Sequence, residues 1–250
     1  MTINLNLWET LLHTAREGET FMSSSYVPQL YKDFVKAAEM LGRKHSLSNV
    51  FNDLLTLSIC SYHETNIMTG CRQKDEANEE LYIQVFNKYD KEEISELAKM
   101  MATLQKNAYQ APYSDLLGQF FTEHITNGHN GQFFTPDGIT QLMAEMQGEA
   151  GSIERKRVAD PACGSGRLLL SFAEKNPNNT FYAADNAGTC AKMAAVNFFL
   201  GGMKGEVAWM NTLTMEWYGG WHVNRWTRIG IVPIEKEQSA MWLDQKSVQH

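Results

Sequence analysis

The sequence predicts an α/β fold in which a helical N-terminal domain precedes a domain built on a partial parallel sheet. Three observations predict it. Apolar residues recur at helical intervals through the first part of the chain. After Gly151 short apolar strands alternate with helices, and a βαβαβ order implies a doubly wound parallel sheet with right-handed crossovers. Between the first such strand and its helix lies Asp160-Pro161-Ala162-Cys163-Gly164-Ser165-Gly166, a glycine turn that lets backbone come close to a ligand.

The helical elements follow in order. Residues 28–41 space Leu30, Phe34, Ala37, Ala38 and Leu41 for one helix face. Ser48 suits the N-cap of a helix over 50–62, apolar on most sides and so expected to be buried. Further helices are predicted over 75–86 and 91–105. A helix over 115–125 puts Leu116, Leu117, Phe120, Phe121 and Ile125 on one face. Asn127-Gly128-His129-Asn130-Gly131 is a loop by composition. Thr135 then suits a cap, and Pro136 the first turn, of a helix running to about Met146.

The strands come next. The first covers 157–159, with its helix over 167–173. The second covers 180–184 and ends at Asp185, followed by a helix over 189–200 that Gly201-Gly202 closes. The third covers 206–209. Residues 228–234 read as a fourth strand and 239–244 as a short helix, while Trp217, Trp221 and Trp226 are expected in a core or on a partner surface, with stacking on bases as the alternative. The domain boundary is expected between 1–130 and 131–250. So small a sheet needs one edge covered, by the helical region or by a partner.

Hydrophobic residues make up 43% and charged residues 20%, which is a globular composition. No apolar run has the length of a membrane span, and Met1 begins no signal-peptide pattern. Cys60, Cys71, Cys163 and Cys190 show no paired framework, so a cytoplasmic location is expected. The net charge of −7 makes the chain alone a poor ligand for DNA, whose binding rests largely on phosphate neutralisation. Action on DNA then requires a local basic face or a basic partner. Arg155, Lys156, Arg157 and Arg167, with Arg225 and Arg228, are either that face or ordinary solvated charges.

Four features carry chemistry: Gly131-Gln132-Phe133-Phe134-Thr135-Pro136, the turn at 160–166, Asp185 and Asn211. A helix N-terminus after a glycine turn offers free N–H groups. A carboxylate ending the second strand suits the hydroxyls of a ribose, and Asn211 after the third suits an adenine edge; a capping role for Asp185 and a turn role for Asn211 are the alternatives. No Gly-Lys-Ser/Thr follows the turn, and Leu169 stands where a dinucleotide fingerprint needs its third glycine. Neither a Gly-x-Ser-x-Gly elbow nor a Cys-His-acid set surrounds Cys163. Cys60, His63 and Cys71 lack a fourth metal ligand nearby, so no metal is expected.

With GQFFTP before DPACGSG, and Asp185 and Asn211 behind, the chain resembles the N6-adenine-specific DNA methyltransferases. The likeness is closest to the modification subunit of type I restriction-modification systems, in a truncated form. It covers roughly residues 115–213. The resemblance implies an S-adenosylmethionine-dependent methyltransferase domain of Rossmann-like fold, with S-adenosyl-L-methionine as cofactor. It implies DNA as substrate, reached directly or through a partner subunit, and specificity or restriction subunits as partners; the sequence leaves the oligomeric state open, a homo-oligomer among the alternatives. Carried over by position, Thr135 and Pro136 would lie against the methionine part of the cofactor. Asp160, Ala162, Cys163, Gly164 and Gly166 would line its amino-acid and sugar region. Asp185 would hold the ribose hydroxyls and Asn211 would contact the adenine.

One departure bears on activity. The family's Asn-Pro-Pro-Tyr/Phe motif, which holds and stacks the flipped adenine, is absent, and no two prolines are adjacent. At its expected place stands Ile231-Val232-Pro233-Ile234, with neither amide nor ring. Catalytic residues are therefore unassigned. The alternative to an enzyme is a catalytically inactive relative that binds the cofactor or a partner protein as a regulatory or interaction module.

Overall fold

The computed structural model describes residues 26–63, 65–66, 75–126, 151–225 and 228–242. Helix α1 (Tyr26–Gly42) buries Leu30, Phe34, Ala37, Ala38 and Leu41, the stripe that the spacing predicts. Helix α2 (Leu47–Ser61) starts earlier than expected: Ser46, not Ser48, holds the N-cap position, and its side chain makes no cap hydrogen bond. Tertiary burial rather than capping holds α2, because Val50, Phe51, Leu54, Leu55 and Leu57 are all enclosed. Its buried Asp53 accepts from Lys88 Nζ and from Tyr89 OH, each at 2.9 Å.

A short strand β1 (Thr65–Asn66) precedes α3 (Glu76–Phe86) and α4 (Lys91–Gln110). Both helices start on an aspartate. Asp75 accepts from Asn78 N, and Asp90 forms a reciprocal capping box with Glu93. Helix α4 outruns the predicted 91–105 because no glycine or proline interrupts it before Gln110. Helix α5 (Leu116–Phe120), capped by Asp115, passes into a π-helical turn over Phe121–Thr126. Its Phe120 meets Phe34 edge-on at 5.0 Å and Phe51 at 5.3 Å between ring centroids.

The second half opens with β2 (Arg157–Asp160), α6 (Arg167–Lys175), β3 (Thr180–Asp185), α7 (Gly188–Leu200) and β4 (Gly205–Asn211). The three strands are parallel as predicted, with Val158 opposite Phe181 and Ala183 opposite Val207. The sheet as a whole is mixed, not wholly parallel. Strand β5 (Glu216–Val223) runs antiparallel to β4, because residues 212–215 are too few for a crossover and long enough only for a hairpin.

The single strand expected over 228–234 is split. β6 (Arg228–Ile229) pairs with β1, whereas β7 (Ile231–Pro233) pairs antiparallel with β5. Between them Gly230 takes a φ of 138°, a bend open to glycine. The main sheet runs β2-β3-β4-β5-β7, and no strand pairs with the outer side of β2 among the described residues. The predicted short helix near 239–244 appears as one helical turn over 240–242, the last described residues.

Helix α7 sits between sheet and helical region and is buried on nearly every side, including Ala191, Ala194, Ala195, Val196 and Phe198. Its Lys192 reaches α2 at Asn52 Oδ1 (3.1 Å) and Thr56 Oγ1 (3.0 Å). One apolar core runs from Phe34 and Phe51 through Leu117 to Leu170, Phe181 and Val207. Ala184, Ala208, Met210 and Met241 form a smaller cluster. Trp221 packs on the larger core and Trp217 on the smaller; Trp226 lies outside the described residues. No helix among the described residues is long and apolar enough to cross a membrane.

Candidate functional site

Chain reversal after β2 depends on two glycines. Gly164 (φ 56°) and Gly166 (φ 85°) are left-handed, a conformation that costs an L side chain about 1–2 kcal/mol. Gly166 sits at the N-cap of α6, and its N–H closes the turn on Cys163 O at 2.8 Å. Cys163 N donates to Ala184 O at 2.9 Å, which ties the turn to the end of β3.

Asp185 lies at that end, and its carboxylate reaches back across the strand. Oδ2 accepts from Gly164 N and Oδ1 from Ala187 N, both at 2.8 Å. The residue expected to hold ribose hydroxyls therefore also shapes the turn, and each oxygen keeps a second lone pair for a ligand. Asp160 Oδ1 accepts from Ala162 N at 3.1 Å. Burial is the main cause that pushes the Asp160 carboxyl above its ordinary value. The Ala162 N–H opposes the rise, and the negative charge of Asp185 adds to it.

Asn211 spends its Oδ1 on a turn, accepting from Leu213 N at 3.0 Å and Thr214 N at 3.1 Å. Its Nδ2 makes no hydrogen bond among the described residues. In the same hairpin Thr212 Oγ1 donates to Pro161 O at 3.1 Å, which brings the end of β4 onto the turn. Asp160, Ala162, Cys163, Gly164, Gly166, Asp185 and Asn211 thus gather at the carboxyl ends of β2, β3 and β4. Thr135 and Pro136, with the rest of GQFFTP, lie outside the described residues.

Cys163 is buried, and burial chiefly, with the negative charges of Asp185 and Asp160 adding, raises its thiol well above its ordinary value. Cys190 is likewise pushed up to about 12, mainly by burial. Among the described residues no His/Cys/Asp/Glu group is placed to hold a metal ion, and Cys71 lies outside them.

Three neighbours were not legible as site residues. Asp115, foreseen only as the start of a helix, accepts from Ser165 Oγ at 2.5 Å and from Arg167 Nε at 2.8 Å. Arg167 consequently leaves the predicted basic cluster: its side chain is 13% exposed and paired inward. Asn197 of α7 donates to Ser165 O at 3.0 Å. Trp209 donates its indole N–H to Asn186 O at 3.1 Å, and its ring would stand 2.9 Å from a β-carbon on Gly188. Only the cap at Asp115 had a local signal, an aspartate ahead of an apolar helical run; the other contacts join residues distant in sequence.

The donor set has a definite chemical preference. Two carboxylates, Asp160 and Asp185, stand beside the glycine turn, a surrounding that suits cationic and hydroxyl-bearing groups.

The sequence profile described as N-6 DNA Methylase matches residues 104–229, just over half of the chain. The chain belongs to the N-6 DNA methylase family. The match spans the end of α4, the Asp115 helix, the glycine turn and the strands through β6.

Among curated relatives of this N-6 DNA methylase family member is the type I restriction enzyme MjaVIII methylase subunit of Methanocaldococcus jannaschii. It is 32% identical over 84 residues, which are 31% of this chain and 14% of the relative. The MjaIX methylase subunit of the same organism is 27% identical over 109 residues, 41% of this chain and 18% of the relative. The type II restriction enzyme and methyltransferase RM.BcgI of Heyndrickxia coagulans is 42% identical over 62 residues, 23% of this chain and 9% of the relative. The matched stretches are thus a small part of each relative.

Two solved structures are also similar. A class I S-adenosylmethionine-dependent methyltransferase from Listeria monocytogenes aligns with a TM-score of 0.41 at 17% identity, over 73% of this chain and 52% of its own. The methyltransferase subunit of a type I restriction-modification system from Streptococcus thermophilus aligns at 0.36 and 16% identity, over 71% and 56%.

Proposed function

We propose that this chain is the S-adenosyl-L-methionine-binding part of a DNA adenine-N6 methyltransferase of restriction-modification type. The observation that carries the proposal is the turn at 160–166, braced by Asp185 and flanked by two carboxylates, in a member of the N-6 DNA methylase family. When bound, the cofactor supplies a methyl group on a cationic sulfur. The glycines of the turn admit its amino-acid end against backbone. Asp160 faces the cationic part, Asp185 accepts from the ribose hydroxyls on its remaining lone pairs, and Asn211 Nδ2 donates to the adenine edge. Thr135 and Pro136 complete the methionine side. DNA is the substrate, and with a net charge of −7 the chain reaches it through a basic partner such as a specificity subunit. The domain organisation we propose is a helical unit over 1–130 and the cofactor unit over 131–250.

A second reading is a cofactor-binding relative without methyl transfer of its own. One observation favours it: no Asn-Pro-Pro-aromatic motif occurs in the sequence. Calorimetry with S-adenosylmethionine tests what both readings share; no heat at millimolar cofactor removes both. Transfer of labelled methyl to DNA, run with the chain alone and in cell extract, separates them. Incorporation that vanishes in Asp185→Ala sinks the inactive reading, and tight binding without incorporation in either setting sinks the enzyme reading.

A further inference from the structure

We infer that Asp115 is the positioning residue of the cofactor turn, acting on it from the helical region through Ser165; the identity of the ligand rests on the reading proposed above. The Asp115 side chain is 4% exposed. It accepts from four donors: Gly118 N at 2.8 Å, Ser165 Oγ at 2.5 Å, Arg167 Nε at 2.8 Å and Asn197 Nδ2 at 2.9 Å. Capping α5 needs only the first of these. The other three come from the glycine turn, from the first residue of α6 and from α7.

Ser165 is the middle residue of Gly164-Ser165-Gly166 and is fully enclosed. Its hydroxyl is held by Asp115 and its carbonyl accepts from Asn197 Nδ2 at 3.0 Å. On its N-terminal side Gly164 N goes to Asp185. The turn is therefore gripped on one side by the carboxylate that ends β3 and on the other by Asp115. Two left-handed glycines flank Ser165 and supply little stiffness of their own. Without Asp115 the Ser165 hydroxyl loses its acceptor and the turn its link to α5.

Gly118 supports the same conclusion independently. A β-carbon there would lie 2.1 Å from Asp115 Oδ2 and 2.5 Å from Ser165 Oγ. The helix approaches so closely that only a residue without a side chain leaves room for the pair. Arg167 supplies the charge that a carboxylate taken out of water requires. Asp115 itself is not assigned to any reacting atom, so its role is indirect.

The test uses the full chain with Asp115→Asn, Ser165→Ala and the double variant. Cofactor Kd is measured calorimetrically well below the melting temperature. Hydrogen exchange of residues 160–170 is followed by mass spectrometry, with 205–211 as reference. The expected result is a Kd weaker by about tenfold or more in each single variant, since each loses a hydrogen bond to a charged group. The double variant is expected to be little worse than Asp115→Asn, because the two act through one contact. Exchange at 160–170 should quicken by about tenfold while 205–211 stays unchanged. Variants that melt earlier yet keep the wild-type Kd and wild-type turn exchange would overturn the inference and leave Asp115 a structural cap. If the wild-type chain takes up no S-adenosylmethionine, the cofactor reading fails and turn exchange alone decides the role of Asp115. If Asp115→Asn does not fold, Ser165→Ala removes one bond only and carries the same two readouts.

Discussion

At Gly118 the absence of one methyl group keeps two parts of the chain together. Gly118→Ala places a carbon against Asp115 and Ser165, both anchored at their far ends, so neither can yield cheaply. The expected cost is about 1–3 kcal/mol by urea unfolding; a loss within experimental error would mean that α5 shifts freely. At Gly166 the cause is different. A β-carbon there meets Phe198 and Ala194 at 3.4 and 3.5 Å, close to ordinary contact, so the penalty of Gly166→Ala is backbone strain at φ 85°. About 1–2 kcal/mol is expected, with Gly166→Asn milder because asparagine tolerates that conformation. The two glycines differed in legibility: Gly166 stands in a motif, whereas the need for Gly118 appears only once Ser165 is beside it.

Among the elements, β4 carries a buried carboxylate that fastens the last described segment. Glu206 accepts from Ser239 Oγ at 2.5 Å, from Ala240 N at 2.9 Å and from Met241 N at 3.2 Å, with His222 Nε2 at 3.6 Å. Burial by itself would raise this carboxyl; the nearby His222 imidazole and the hydrogen bonds from Ser239, Ala240 and Met241 outweigh it and hold the group below its usual 4.5. A depressed folded-state pKa means that the stabilisation is present above 4.5 and is lost as the pH falls through the folded value. Acidification below that range is therefore expected to release residues 239–242, seen as faster hydrogen exchange and altered Trp242 fluorescence. Glu206→Gln should show the released behaviour already at pH 7, with His222→Gln as control for the facing imidazole. An unchanged acid response in Glu206→Gln would place the trigger elsewhere. The hairpin strand β5 was missed for a related reason. Its Trp-rich, glycine-interrupted run has no clean alternation, and pairing with β4 makes it a strand.

For the whole molecule the continuous core predicts cooperative unfolding. Phe120 belongs to the helical region, and Trp209 and Trp221 to the sheet. Phe120→Ala is expected to cost about 3–5 kcal/mol and to shift far-UV circular dichroism and tryptophan fluorescence together. Fluorescence that stays at the wild-type midpoint while the dichroism transition drops would show that the two regions melt separately.

Much of the described fold was written locally. The apolar stripe of α1, the aspartates before α3 and α4, the order β2-α6-β3-α7-β4 and the glycine turn all depend on residues within a few positions of each other. Periodicity and turn chemistry are near-neighbour properties, so the sequence by itself determined them, and with them the family resemblance. Tertiary structure alone decided three things: that Asp115 meets Ser165 across 50 residues, that Arg167 turns inward, and that Asp185 grips Gly164. The first two join groups whose distance is set by how the helical region packs on the sheet, and the third depends on the pairing of β2 with β3; no local pattern encodes those distances.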